Sequence, residues 1–298
     1  MKDKPFAATP YLIIAATVLV MVVVQLILTL ALRPEPGFNG EQAYKDIEYL
    51  VRFGPRVPGS GAHTQTARWI NRELHRSGWD IELQRDVVDG KTIHNVIAKR
   101  GTGKPWIILG THYDTRQWAD RDLDPDSTSK PVIGANDGAS GVAVLVELGR
   151  TLPHDLSKQI WLVFFDAEDQ GEIPTWDWIM GSQYFVDNLV ETPDSVIIID
   201  MIGDTDLQIY QERNSDPALT QEIWETAAKL GFASSFIPEY RHKMLDDHTP
   251  FIEKGIPTAL IIDFDYPYWH STQDTIDKVS EKSLQTVGDT LYAWLVGE

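Results

Sequence analysis

The sequence predicts an α/β domain built around a central mixed sheet, and three observations carry that expectation. Four apolar runs rich in β-branched and aromatic residues, at 106–110, 160–165, 195–199 and 258–262, have the unbroken hydrophobicity of strands covered on both faces. Segments with apolar residues at helical spacing alternate with them. Ahead of both, residues 79–88 and 92–99 read as neighbouring strands joined at Asp89 and Gly90, a hairpin signal that makes the sheet mixed.

Composition narrows the function classes. The 298 residues, 43% hydrophobic and 23% charged, suffice for one large domain and an appendage. A formal net charge of −18, without any cluster of Lys and Arg, argues against a nucleic-acid partner. Because there is no cysteine, a metal would have to be held by His, Asp and Glu.

The appendage is N-terminal. Residues 11–32 are almost unbroken Leu, Ile, Val, Ala and Met, with Gln25, Thr17 and Thr29 the strongly polar interruptions, and that length spans a bilayer. Lys2 and Lys4 precede the run, and the chain turns acidic beyond Arg33 at Glu35, Glu41, Asp46 and Glu48. The expectation is a cytoplasmic N-terminus over 1–10, a single-pass membrane anchor over 11–32 in contact with the lipid bilayer, a linker over 33–40 and an extracytoplasmic domain over 41–298. A cleaved signal peptide and a secreted protein form the alternative, although the run is long for a signal and Leu30-Ala31-Leu32 offers no small-x-small cleavage site.

Within the domain, residues 41–53 set Ala43, Ile47, Leu50 and Val51 on one helical face, and the Gly- and Pro-rich stretch at 54–61 ends that helix. A second helix over 63–77 is carried by Ala67, Ile70 and Leu74 and stops at Gly78. The strand at 106–110 runs into Thr111, His112, Tyr113 and Asp114, with His112 and Asp114 on one face of the strand end. A carboxylate on the second ring nitrogen is the usual setting of a metal-ligating imidazole. After an aspartate-rich loop at 117–131, Asp137 lies in a glycine-rich turn ahead of a helix marked by Val142, Val144, Leu145 and Leu148. A helix N-terminus favours an anionic side chain there, and a plain N-cap is the alternative.

The strand at 160–165 ends abruptly in Asp166, Glu168 and Asp169, which delivers carboxylates to the edge where open α/β sheets bind ligands. Neighbouring Glu168 and Asp169 can divide the work, one holding a metal while the other moves protons. Residues 172–181 contribute Trp176, Trp178 and Met180, suited to a substrate pocket or to the core, ahead of a helix over 182–189. The strand at 195–199 repeats the device by ending in Asp200, and an amphipathic helix over 216–230 follows. Asp246, Asp247 and His248 lie just ahead of another helix, the strand at 258–262 leads to a loop carrying His270, and residues 280–295 close the chain as a helix.

Five separated segments thus each offer a His or a carboxylate at a strand end or helix start: His112, Asp137, Glu168 with Asp169, Asp200, and His270. Such a set suits Zn²⁺, with Mn²⁺ or Co²⁺ as alternatives. The histidines at 63, 75, 94, 154 and 242 lack this context and read as structural.

The segments THYDT (111–115), GANDGASG (134–141), FFDAED (164–169), IDMIG (199–203) and WHSTQD (269–274), in this order, resemble the clan MH zinc enzymes, which comprise co-catalytic aminopeptidases and the related animal and bacterial glutaminyl-peptide cyclotransferases. The resemblance runs from about Glu41 to the C-terminus. It implies a single-domain three-layer α/β/α sandwich with a central mixed, mostly parallel sheet of the zinc aminopeptidase-like kind. It also implies Asp137, Asp169 and His270 as zinc ligands and Glu168 as general acid/base. In the aminopeptidases the residues matching His112 and Asp200 bind a second zinc that Asp137 bridges, whereas the cyclotransferases keep similar residues and typically bind one. Similar structures often carry a cis peptide after the residue matching Asp137. Asp169 is a departure, since many members have Glu there.

The resemblance further implies Asp246 as a partner of Asp200 in a proton network, and Trp269, with Tyr266 and Trp178, as substrate-binding residues. LDDHTPF (245–251), TRQWAD (115–120), AEDQG (167–171) and WIMGSQY (178–184) are similar to the cyclotransferases, the last three to the bacterial ones, while the stretch at 138–141 is shared with peptidases. The expected function is a membrane-anchored, zinc-dependent enzyme acting on peptide or protein N-termini: a glutaminyl-peptide cyclotransferase that forms pyroglutamate and releases ammonia. Aminopeptidase hydrolysis is the main alternative, and a non-catalytic membrane-tethered binding protein is the remote one.

Overall fold

The computed structural model describes residues 37–297 together with Met21, so the expected anchor at 11–32 lies outside the described residues apart from that one methionine. Among the described residues no helix is long and apolar enough to cross a membrane.

Side-chain capping starts the first two helices. Helix α1 (Gly40–Val51) is capped by the Asn39 side chain and α2 (Gly61–Arg76) by the Ser60 hydroxyl, each accepting a backbone N–H of the first turn. The hairpin β1 (Asp80–Val88) and β2 (Lys91–Arg100) follows, then β3 (Trp106–His112), α3 (Ala139–Thr151), β4 (Gln159–Phe165), α4 (Met180–Asp187) and β5 (Ser195–Asp200). After the short β6 (Ile209–Gln211) come α5 (Pro217–Lys229), β7 (Phe236–Tyr240), α6 (Thr249–Glu253), β8 (Thr258–Ile262) and α7 (Glu281–Val296).

Six strands form one sheet in the order β1-β2-β4-β3-β5-β8. Strands β4, β3, β5 and β8 are mutually parallel, and β2 joins β4 antiparallel, with β1 at the edge. Alternate residues of the parallel strands feed two cores. Ile107, Leu109, Ile197, Ile199, Ala259 and Ile261 pack with α1, α2, α3, α5 and α7, whereas Ile108, Val196, Ile198, Leu260 and Ile262 pack with α4 and α6. The runs are apolar at every position because both faces are covered, which gives three layers.

One pair of strands differs from the sequence expectation. The parallel pair β6 and β7 went unpredicted: one is three residues long, and the other, FIPEY, carries Pro238 and is mostly exposed, so neither has a readable period. Helix α6 starts at Thr249, with Asp246, Asp247 and His248 just ahead of it as expected.

The topology sets the site. His112 and Asp200 are the last residues of β3 and β5, and Asp166 to Asp169 follow β4 directly. Gly141, in the first turn of α3, lets that helix close on the sheet: a Cβ there would lie 2.1 Å from the Thr111 hydroxyl and 3.1 Å from the Ile199 carbonyl oxygen. Gly141→Ala should therefore destabilise the fold by about 1–3 kcal/mol through overpacking. A thermal unfolding midpoint that stays at the wild-type value would show that α3 can move away at no cost.

Candidate active site

Three strand ends, the turn before α3 and the loop after β8 converge on one cleft of about 220 Å³ lined by Asp137, Glu168, Asp169, Trp178, Asp200, Met201, Met244, Leu245, Asp246, Ile262, Phe264, Trp269 and His270. The backbone bends sharply to deliver these groups. Ala167, between β4 and Glu168, Met201, just after Asp200, and His270 itself all adopt left-handed φ values, of 52°, 46° and 54°. Non-glycine residues hold that conformation only where their surroundings fix it.

Two donor sets form, and Asp137 belongs to both. His112, Asp137 and Asp200 make one, and Asp137, Asp169 and His270 the other, with the ligand atoms of each set within 4.8 Å of one another and all five residues buried. His112 Nε2 is 3.1 Å from Asp200 Oδ1 and 3.2 Å from Asp137 Oδ1, while His270 Nε2 is 2.7 Å from Asp169 Oδ1 and 3.9 Å from Asp137 Oδ2. The second ring nitrogens face carboxylates as well: His112 Nδ1 lies 3.5 Å from Asp114, and His270 Nδ1 lies 3.5 Å from Asp120. Such outer partners orient a metal-ligating imidazole.

The donors fit a divalent cation. Asp137 Oδ2 and Asp169 Oδ2 are buried without a hydrogen-bond partner, an expensive state unless a cation takes up these oxygens. Protonation tells the same story. Burial pushes the Glu168 carboxyl well above its usual range, against the pull of His112 and with the help of Asp169, Asp247 and Asp246. Burial also raises Asp169 to about 6 and Asp246 to about 7, the latter assisted by the charge on Asp200. The His270 ring, which burial would lower, is instead raised to about 9 by Asp169 and Asp120.

Three residues outside the expected ligand set hold the arrangement. Asp114 accepts the Glu168 backbone N–H at 3.1 Å, the Asp169 N–H at 3.4 Å and the Gln170 side-chain amide at 2.9 Å, and so ties the loop after β4 to the end of β3. Asp274 accepts the backbone N–H groups of Asn136 and Asp137 at 2.9 and 3.0 Å. Arg56, fully buried, donates to the carbonyls of Tyr113, Ile133, Gly134 and Asp137. Asp114 and Asp274 lie inside the quoted motifs, whereas Arg56 sits in a glycine- and proline-rich stretch that reads only as a helix stop.

Most residues singled out in the sequence line this cleft, whereas His112 lies behind Asp137 and Asp200, and Trp176 and Tyr266 pack elsewhere. Asp246, Trp178 and Trp269 line it, and the Trp269 ring stacks on His270 with 3.8 Å between centroids. Tyr266, expected to meet substrate, is 3% exposed and donates its hydroxyl to Asp274 at 2.7 Å. It therefore braces the Asp137 turn from behind, because the carboxylate needs a third donor in a site closed to water. The peptide after Asp137 is trans; among the described residues the cis bond is Lys104–Pro105. Gly138 serves the turn instead through a φ of +87°, with a Cβ there only 2.8 Å from the Asp114 carbonyl oxygen.

Replacing Arg56 by Met should cost about 3–5 kcal/mol, because four buried carbonyls lose their donor. Denaturant unfolding compared with wild type measures this, and a loss below 1 kcal/mol would contradict the bracing role.

Comparison with known proteins agrees with this geometry. The profile of Peptidase family M28 matches residues 95–295. Aminopeptidase YwaD of Bacillus subtilis is 31% identical over 276 residues, covering 84% of this chain and 55% of that protein. Porphyromonas gingivalis glutaminyl cyclase superposes with a TM-score of 0.81 at 32% identity, over 87% of this chain and 98% of its own. A leucine aminopeptidase precursor from Bacteroides thetaiotaomicron superposes with a TM-score of 0.84 at 31% identity, over 89% and 99%. The two activities are thus about equally near, and zinc is common to both kinds of enzyme. The chain belongs to peptidase family M28 and is a zinc-dependent enzyme of the glutaminyl cyclase or aminopeptidase kind.

Proposed function

We propose that the protein is a glutaminyl-peptide cyclotransferase, which closes an N-terminal glutamine of a peptide or protein to pyroglutamate and releases ammonia. The observation that carries this reading is Asp246, 4% exposed, lining the same small aromatic cleft as Glu168 and Asp200. Cyclisation needs no water but requires the substrate's own amine to reach its side-chain amide, and a tight cleft walled by Trp178, Phe264 and Trp269 favours that folded conformer. Asp137, Asp169 and His270 hold the zinc in this reading, and when bound it supplies a Lewis acid at the reacting carbonyl.

Glu168 carries the protons. It takes one from the α-amine as the new C–N bond forms and gives one to the amide nitrogen as the old C–N bond breaks, so that ammonia leaves neutral. Burial raises the Glu168 carboxyl above its usual range, which suits a group that both takes and gives a proton. Asp246, raised to about 7 beside Asp200, can donate a hydrogen bond as a neutral acid instead of adding another negative charge to the cleft. Trp269, stacked on His270, gives the substrate a flat wall.

A second reading rests on the shared carboxylate. The His112, Asp137 and Asp200 set offers a second metal position, as the resembling aminopeptidases use, and there Glu168 would activate water against the first peptide bond. We also propose that residues 11–32 anchor the enzyme in a membrane with the domain 41–298 on the extracytoplasmic side, supported by that apolar run and by Lys2 and Lys4 before it. Extraction of the full chain by alkaline carbonate without detergent would contradict the anchor.

The zinc-loaded protein should release ammonia from a Gln-initiated dipeptide, leave Leu-p-nitroanilide uncut and contain near one zinc per chain. Cleavage of the anilide with near two zincs would establish the aminopeptidase reading instead. Glu168→Gln should keep its zinc and lose about 10²–10⁴-fold in turnover, whereas His270→Ala should lose the metal. Full activity in Glu168→Gln would remove Glu168 from the proton path.

A further inference from the structure

The aspartate-rich loop at 117–131 reads as solvated coil, yet its first turn enters the metal site. Arg116 is 1% exposed and its guanidinium is used on three sides. It grips Asp120 with two hydrogen bonds, Nε to Oδ1 at 2.9 Å and Nη2 to Oδ2 at 2.5 Å. Its Nη1 donates to the Asp169 carbonyl oxygen at 3.1 Å, and the guanidinium lies over the Trp178 ring, 4.8 Å from its centroid. Asp120 in turn faces His270 Nδ1 at 3.5 Å. The same turn also grips the His270 loop through its backbone: Arg121 N–H donates to the His270 carbonyl, and Asp122 accepts the Thr272 N–H and hydroxyl.

We infer that Arg116 and Asp120 work as one positioning pair for the zinc centre. Asp120 keeps the His270 proton on Nδ1 and so leaves Nε2, which points at Asp169 and Asp137, free for the metal. Arg116 fixes Asp120 by a bidentate grip that Lys cannot reproduce, and it also fixes the backbone of a second ligand and one wall of the substrate cleft. Trp178 is held from its other side as well: Gly171 leaves the space the indole fills, since a Cβ there would lie 2.1 Å from the ring, and the indole lies 13° from parallel to His270 at 6.0 Å. One buried cation therefore couples metal affinity to substrate binding, two properties that separate side chains could have set independently.

The inference rests on zinc binding at Asp137, Asp169 and His270 and not on which amide reacts. Zinc affinity by chelator competition, and KM at saturating zinc for a Gln-initiated dipeptide or Leu-p-nitroanilide, whichever the wild type turns over, test it in folded proteins. Asp120→Asn should weaken zinc by about 10–100-fold with KM within twofold of wild type, because the Arg116–Trp178 stack remains. Arg116→Lys should weaken zinc and raise KM together. Should Arg116→Lys not fold, Trp178→Ala tests the coupling, with a zinc affinity lowered several-fold although Trp178 offers no ligand atom. Wild-type zinc affinity in Asp120→Asn overturns the positioning role. Unchanged KM in Arg116→Lys, or unchanged zinc affinity in Trp178→Ala, overturns the coupling. Wild-type protein that binds no zinc would instead remove the assignment of the metal site beneath it.

Discussion

Five buried carboxylates, those of Asp137, Glu168, Asp169, Asp200 and Asp246, line one cleft, and this concentration of charge is what the surrounding structure has to accommodate. Burial resists each negative charge and every neighbour of like sign resists it further. His112 and His270 answer part of this, which is why Asp137, in contact with both, stays below the usual carboxylate range despite burial while Asp169 and Asp246 rise above it. A divalent cation answers the rest. Asp114 and Asp274, which accept backbone N–H groups of the ligand-bearing turns, and the Arg116–Asp120 pair keep the ligands aimed within this charged site.

The fold serves the same requirement. Parallel strands covered on both faces release their side chains only at the C-terminal edge, so His112, Glu168, Asp169 and Asp200 come from residues far apart in sequence yet share one rim. Short turns in left-handed conformations at Ala167, Met201 and His270 then aim them inward. The strain of those turns is the local counterpart of the charge, and both are borne by a sheet packed on two faces.

Much of this was legible in the sequence. Unbroken apolar runs marked the four parallel strands, and each such run stopping at an acid or His marked the rim. Asp114 was legible as the partner of His112, but the bracing arginines were not. Arg56 and Arg116 look like any surface arginine until tertiary contacts bury them, and the loop containing Asp120 has the composition of solvent-exposed coil. Tyr266 shows the opposite error: it was expected among the substrate-binding residues, but its buried hydroxyl donates to Asp274. The pair β6 and β7 escaped because three residues, or five with a proline, carry no period.

Retaining five ligand-type residues leaves the reaction open, because the metal sets are common to both chemistries. What distinguishes the readings lies one step out, in the buried Asp246 and the aromatic walls, which suit a folded single side chain. The claim beneath either reading is that zinc balances the buried carboxylates, and thermal unfolding of the protein with saturating zinc and after exhaustive chelation tests it most directly. The account predicts a midpoint several degrees lower without metal, fully restored by zinc added back. The same midpoint in both states would contradict it.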